Sequence, residues 1–70
     1  MDQMLQGNIF ARIKEDRQRD ADQLARMTSG RLKFTELRDG RWMDISQEVA
    51  DELKRRIFEA DALLQALQAG

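Results

Sequence analysis

Apolar residues in the last third of the chain recur at the spacing of an α-helix. Six of them follow one another at intervals of 4, 4, 3, 4 and 3 residues, which aligns them on one helix face. This stripe consists of Val49, Leu53, Ile57, Ala60, Leu64 and Leu67. Ser46 precedes it and is a residue type that caps helix N-termini. The pattern therefore predicts a helix that begins at Ser46 and buries one apolar face.

Another helix is predicted earlier in the chain, from about Ile9 to Thr28. Gly7-Asn8 can interrupt a helix, and Asn8 is a suitable N-cap for the residues that follow. Residues 1–8 show no periodicity of their own. We therefore expect residues 1–8 to form a flexible N-terminal segment and residues 9–70 to form a single domain.

The apolar residues of this first helix fall into two groups separated by a polar segment. The early group is Ile9, Phe10 and Ile13, and the late group is Ala21, Leu24, Ala25 and Met27. The seven residues Lys14–Asp20 between them include no apolar side chain. Two turns without an apolar residue favour a helix whose early half extends beyond the domain. The alternative is a continuous surface helix whose Lys and Arg stems cover apolar atoms.

Between the two helices, the stretch RLKFTELRDGRWMDIS predicts a β-hairpin. Asp39-Gly40 is a strong signal for a two-residue turn. Such a turn pairs Leu37 with Trp42 and Arg38 with Arg41. It also places four apolar residues, Leu32, Phe34, Met43 and Ile45, on one inner face. A longer, bulged loop would shift the register by one residue and exchange these partners.

Together these elements predict a small α+β domain of the order helix–β-hairpin–helix, α-β-β-α. We expect both helices to pack on the inner face of the hairpin. A chain of 70 residues without cysteine buries a small core and has no disulfide to reinforce it. Self-association or docking on a partner is therefore an expected source of further stability.

The charges nearly cancel, with 12 Lys and Arg against 13 Asp and Glu. A sequence-independent grip on nucleic acid needs a basic excess, so nucleic acid is not an expected partner. The chain shows no signal peptide and no apolar run of membrane-spanning length. We therefore expect no membrane partner and a cytoplasmic location.

The sequence offers little material for catalysis. It contains no histidine, cysteine or tyrosine, which removes the usual general base, the thiol nucleophile and the common transition-metal ligands. Its carboxylates lie at the spacing of helix surfaces, and a chain of this size can hardly build a desolvated cleft around two of them. We expect no enzyme activity, no cofactor and no metal site.

Two surfaces are candidates for contact with other proteins. The first is the outer side of the hairpin, Leu37 with Trp42, flanked by Arg38 and Arg41. Exposed aromatic residues beside arginine often dominate interface energies. Two alternatives remain open: Trp42 covers a helix as part of the core, or the basic residues only protect a sheet edge. The second surface, expected to serve homo-oligomer formation, comprises Ile9, Phe10, Ile13, Leu63 and Leu67.

The order of elements resembles that of the bacteriophage lambda head-completion protein W family over Leu24–Ala60. The shared landmarks are Gly30 at the end of the first helix, Asp39-Gly40 in the hairpin turn and the segment Leu53-Lys54-Arg55-Arg56-Ile57. The resemblance implies a phage protein that assembles at the portal and joins head to tail, located in the virion or in the host cytoplasm.

Two other hypotheses remain beside the head-tail connector. A small phage or prophage protein could be an inhibitor or regulator that binds a host protein complex, such as the transcription or anti-phage defence machinery, in the manner of an anti-CRISPR protein. A DNA-binding regulator would have to bind strongly despite a net charge of −1. Assembly state separates the connector from the inhibitor, because a connector must form a ring.

Overall fold

The computed structural model describes residues 2–69, with side chains described from Asn8 onward. Four elements follow one another along the chain: α1 (Asp2–Thr28), β1 (Thr35–Arg38), β2 (Arg41–Asp44) and α2 (Ser46–Ala69). The strands form an antiparallel two-stranded sheet. The predicted α+β fold of order α-β-β-α is therefore confirmed.

The first helix begins well before its predicted start. It runs without interruption from Asp2, so Gly7-Asn8 does not break it and the start predicted at Ile9 is wrong. A glycine inside a helix costs only about 1 kcal/mol, and elongating an existing helix is far easier than nucleating a new one. Elongation from the neighbouring turns can therefore carry the helix through Gly7.

The C-terminus of α1 shows the cap that its glycine predicts. Gly30 has a φ of 80°, in the left-handed region. Its N–H donates to the carbonyl of Met27 at 3.1 Å, and the N–H of Arg31 donates to the carbonyl of Arg26 at 2.9 Å. These two bonds define a Schellman motif, which satisfies the last carbonyls of the helix. The chain then turns towards the hairpin.

The hairpin has the predicted two-residue turn and the predicted register. Asp39 and Gly40 both have positive φ, 51° and 76°, as a type I′ turn requires. Leu37 pairs with Trp42, and Arg38 pairs with Arg41. The bulged alternative is therefore wrong. The register follows from local turn chemistry, which the sequence expresses directly.

The helices pack on each other and not on the hairpin. Tertiary contacts in the described chain lie mainly between α1 and α2, and all eight strand residues are exposed. On the predicted inner face, Leu32, Phe34 and Ile45 are half-buried, whereas Met43 is 47% exposed. The prediction that both helices pack on one face of the hairpin is therefore wrong. A pair of four-residue strands offers much less apolar surface than two long helices offer each other.

Both helices contribute a stripe to this packing. Every residue of the predicted stripe on α2 is buried or half-buried, and Leu53, at 3% exposure, is the apolar centre of the described chain. The facing stripe on α1 recurs at intervals of 3, 4, 3, 4 and 3 residues and comprises Phe10, Ile13, Arg17, Asp20, Leu24 and Met27. Intervals that alternate between 3 and 4 residues are those of a coiled coil, so the molecule is an antiparallel helix pair with a hairpin at its closed end.

Ion pairs cross the middle of the helix pair. Arg17 pairs with Asp61, and Arg56 approaches the buried carboxylate of Asp20 at 3.2 Å. These contacts place the polar segment of α1 against α2, so the hypothesis of a protruding early half is wrong. The continuous helix is the observed arrangement. Polar residues can lie on this seam because charged partners on α2 meet them there.

Candidate functional site

The outer face of the hairpin carries an exposed cross-strand pair, Trp42 and Leu37. Trp42 is 73% exposed and Leu37, its cross-strand partner, is 56% exposed. Side chains alternate between the two faces of a strand, so this pair projects away from the inner face that carries Met43. The exposure predicted for Trp42 is confirmed, and the alternative that it covers a helix is wrong. Its role in partner binding stays a prediction.

Arg38 does not flank this pair on the same face. The pleat places it on the inner side, where its guanidinium donates to Glu36 at 2.9 Å and to Glu48, in the first turn of α2, at 3.0 Å. The hydrogen bonds to Glu48 and then to Glu36 raise the pKa of Arg38 above its ordinary value. Arg38 is thus occupied within the domain and holds the hairpin to α2. The prediction that it borders the exposed pair is wrong.

Arg41 remains available at the tip of the hairpin. It is exposed and forms no ion pair with any side chain described from Asn8 onward. Repulsion from the facing Arg38 is offset, because that guanidinium lies between two carboxylates. Of the four predicted partner-binding residues, the structure therefore brings Leu37 and Trp42 together, leaves Arg41 beside the turn and commits Arg38 to α2.

A hydrogen bond to the side chain of Ser46 joins the hairpin to α2, and a backbone bond closes the hairpin beside it. The N–H of Phe34 donates to the hydroxyl of Ser46 at 2.9 Å, and the N–H of Ile45 donates to the carbonyl of Phe34 at 2.9 Å. Together with the contact between Arg38 and Glu48, these bonds secure both strands to the start of the helix. The exposed pair on the outer face therefore has a defined position relative to the helix pair.

The N-cap predicted at Ser46 is wrong. The first bond of α2 runs from the N–H of Val49 to the carbonyl of Ile45 at 3.0 Å, so Ser46 is the first residue inside the helix. Its hydroxyl instead accepts a hydrogen bond from the N–H of Phe34, just before β1. The carboxylate of Asp44 accepts from the N–H of Ser46 at 2.8 Å and takes the capping role. An Asp two residues before the helix was the available signal.

This junction predicts a dependence on pH. Hydrogen bonds from the side chain and then the N–H of Ser46 lower the pKa of Asp44 below its ordinary value. A depressed pKa in the folded state stabilises the fold above the unfolded pKa of about 3.9, and this contribution is lost as pH falls through the folded pKa. An NMR titration should show the Asp44 carboxyl protonating at lower pH than in the unfolded chain.

The control for this prediction is Asp39→Asn in the hairpin turn. In thermal melts recorded at several pH values, Asp44→Asn should weaken the fall of the melting temperature at acid pH. Asp39→Asn should retain that fall. A folded-state pKa of Asp44 that is equal to or above its pKa in the unfolded chain would contradict the assigned hydrogen bonds.

The second predicted surface is assembled at the opposite end of the molecule. Ile13 and Leu63 line the same lateral groove between the helices. Phe10 and Leu67 are half-buried, and the ammonium of Lys14 lies 5.5 Å from the centre of the Phe10 ring. Ile9 and Leu63 are 47% and 48% exposed. The structure thus brings the predicted self-association residues to one end, where Ile9 and Leu63 face outward.

Sequence reasoning missed two features of this chain. Phe58 is 74% exposed on α2, although its place beside Ile57 and outside the stripe was visible in the sequence. Asp20 is 6% exposed, which is rare for a carboxylate. Extending the 3.5-residue period through the polar segment of α1 would have placed Asp20 on the seam.

Neither a metal-ligating cluster nor a membrane-spanning helix occurs in the described part of the chain. Among the side chains described from Asn8 onward, no group of three or more metal-ligating residues comes together. None of the helices in the described part of the chain has the length and apolar character that a bilayer crossing needs.

Comparisons with known proteins do not assign the chain to a family. No protein-family model matches it, and neither the curated proteins nor the solved structures contain a significant match. The interpretation of the site therefore depends on the geometry of Trp42, Leu37 and their surroundings.

Proposed function

We propose that this chain is a non-enzymatic protein-interaction module that presents the outer face of its hairpin to a protein partner. The observation that carries the proposal is the exposure of Trp42, 73%, beside Leu37 on a hairpin that is hydrogen-bonded to α2. Tryptophan is among the residues that most often dominate binding energy. A rigidly held indole also loses little conformational freedom when a partner covers it.

The surroundings of Trp42 favour a protein over a nucleic acid. Binding to phosphates needs several unpaired cations, but Arg38 is occupied by Glu36 and Glu48, and the whole chain carries a net charge of −1. Arg41 adds a single cation beside the turn. The matching partner surface is an apolar pocket for the indole and the neighbouring Leu37.

Trp42→Ala tests this proposal, because the side chain contributes to binding and little to folding. We expect the variant to lose at least about 2 kcal/mol of binding free energy, roughly 30-fold in affinity, with its melting temperature almost unchanged. Immobilised chain should capture the partner from lysate of the native host, and titration of the purified partner then gives the affinity. Trp42 is the single tryptophan, so its emission should shift to the blue on binding.

Phe58→Ala is the matched control. Phe58 is as exposed as Trp42, at 74%, but lies on α2 away from the hairpin, so its removal should leave the affinity unchanged. Loss of binding in Phe58→Ala, with binding retained in Trp42→Ala, would place the interface elsewhere. A free chain whose tryptophan emission is already blue-shifted and shielded from iodide would contradict the exposed position.

The resemblance over Leu24–Ala60 supports a more specific form of this proposal, a phage head-tail connector whose hairpin contacts a portal or tail component. The alternative form is an inhibitor or regulator that binds a host complex. Two exposed apolar surfaces at opposite ends of an elongated molecule, about 30 Å apart along α2, suit either form. A connector must assemble into a ring, whereas an inhibitor acts as a monomer or dimer, so the mass of the assembly separates the two.

A further inference from the structure

A single copy of this chain exposes more surface than a folded protein of its mass. Its accessible area is 5984 Å², whereas a compact monomer of 8.2 kDa exposes about 4,500 Å². Its radius of gyration is 15.9 Å, against about 11 Å for a compact chain of 70 residues. The excess of roughly 1,500 Å² exceeds the roughly 800 Å² that each partner buries in a standard protein complex.

Part of this excess lies on the lateral groove of the helix pair. The groove is lined by Ile13 from α1 and by Ala60 and Leu63 from α2, with charged residues at its margins. Ile9 is one turn before Ile13 and extends the apolar strip towards the open end of the pair. Because Ile9 and Leu63 are each about half exposed, one helix pair leaves this strip incompletely covered.

The charged margins of the groove suit a second copy of the same surface. Asp16 and Glu59 bring negative charge. Arg17 and Arg56 bring positive charge, each already paired with a carboxylate, of Asp61 and Asp20 respectively. The whole chain is close to neutral, with a net charge of −1, so two copies meet little long-range repulsion. A strongly acidic or strongly basic partner would be repelled by the groove residues that carry its own sign of charge.

We infer that a second copy of this chain packs on the lateral groove and forms a twofold-symmetric dimer. Two antiparallel helix pairs that meet along this strip make a four-helix arrangement, with Leu63 of each copy near the centre of the interface. The hairpins lie away from the strip, so both outer faces remain available to a partner. The dimer is compatible with the inhibitor form of the proposed function and not with a ring-forming connector.

Sedimentation equilibrium of the full chain, from low to high micromolar concentration, tests the dimer. We expect a mass of twice 8.2 kDa for the unmodified chain at the higher concentrations. Leu63→Lys places a charge at the centre of the interface and should return the mass to that of a monomer. Phe58→Lys is the matched control, because it adds the same charge at an exposed apolar position of α2 outside the groove.

Ile9→Lys places a charge in the interface from the other helix and should also return the mass to that of a monomer. It replaces Leu63→Lys in the test if circular dichroism shows that Leu63→Lys has lost its helices. Trp42→Ala should leave the dimer mass unchanged, which separates this inference from the hairpin's proposed role. An unmodified chain that stays monomeric at high micromolar concentration would overturn the inference. So would a ring of many copies, or a dimer that survives Leu63→Lys but dissociates in Phe58→Lys.

Discussion

Leu53→Ala should lower the free energy of unfolding by about 2–5 kcal/mol, the range observed when a buried leucine is truncated. Leu53 is 3% exposed, and no other apolar side chain described from Asn8 onward is as fully covered. Small domains have only about 5–15 kcal/mol of stability in total. The variant should therefore be substantially unfolded at room temperature, which urea titrations followed by circular dichroism would show.

Leu37→Ala is the control for this prediction, since it makes the same chemical change at a residue that is 56% exposed. Surface substitutions of this kind usually change stability by no more than about 0.5 kcal/mol. The two variants should be compared at one protein concentration, because self-association adds to apparent stability. Equal stabilities of Leu53→Ala and the unmodified chain would contradict the assignment of the core.

The second large loss of stability should come from replacing Arg56. Replacing Asp20, its partner in the ion pair, should cost less. Asp20 is 6% exposed, whereas the side chain of Arg56 is 53% exposed. Arg56→Ala leaves a buried carboxylate without its partner, which costs about 1–3 kcal/mol. Asp20→Ala leaves an arginine that can turn into water, so its cost should be smaller. Asp20→Leu, which continues the apolar seam, should be neutral or stabilising.

Arg55→Ala provides the neighbouring control. Arg55 pairs with Glu52 on the same helix, and both side chains are at least half exposed, so the loss of stability should be small. Thermal melts of the four variants give the comparison directly. Equal losses for Arg56→Ala and Arg55→Ala would show that burial of Asp20 does not make its ion pair important for stability.

Several features of this fold could be predicted because they depend on neighbours in sequence. The left-handed conformations at Asp39 and Gly40 determine a two-residue turn, and that turn determines which strand residues face each other. The same register places Trp42 beside Leu37 on the face opposite Met43. The stripe on α2 was predictable for a similar reason, because a regular helix converts spacing into a face.

The start of α1 and the cap of α2 were predicted incorrectly although both are local. At Gly7 a weak helix breaker lies between good helix formers, and propensity differences of about 1 kcal/mol do not decide such a boundary. At Ser46 two residues compete for one role. The hydroxyl bonds to Phe34, 12 residues earlier in the chain, and leaves the cap to Asp44.

Only the tertiary structure decided what the helices pack on and which charged residues lie inside the molecule. The ion pair between Arg17 and Asp61 joins residues 44 positions apart, and no local sequence pattern predicts such a contact. The polar segment of α1 was not expected to pack on the domain. It does so because the antiparallel α2 places residues of opposite charge beside it. The hairpin was left outside because two long helices bury more apolar surface on each other than on four-residue strands, and this is what exposes Trp42 at one end.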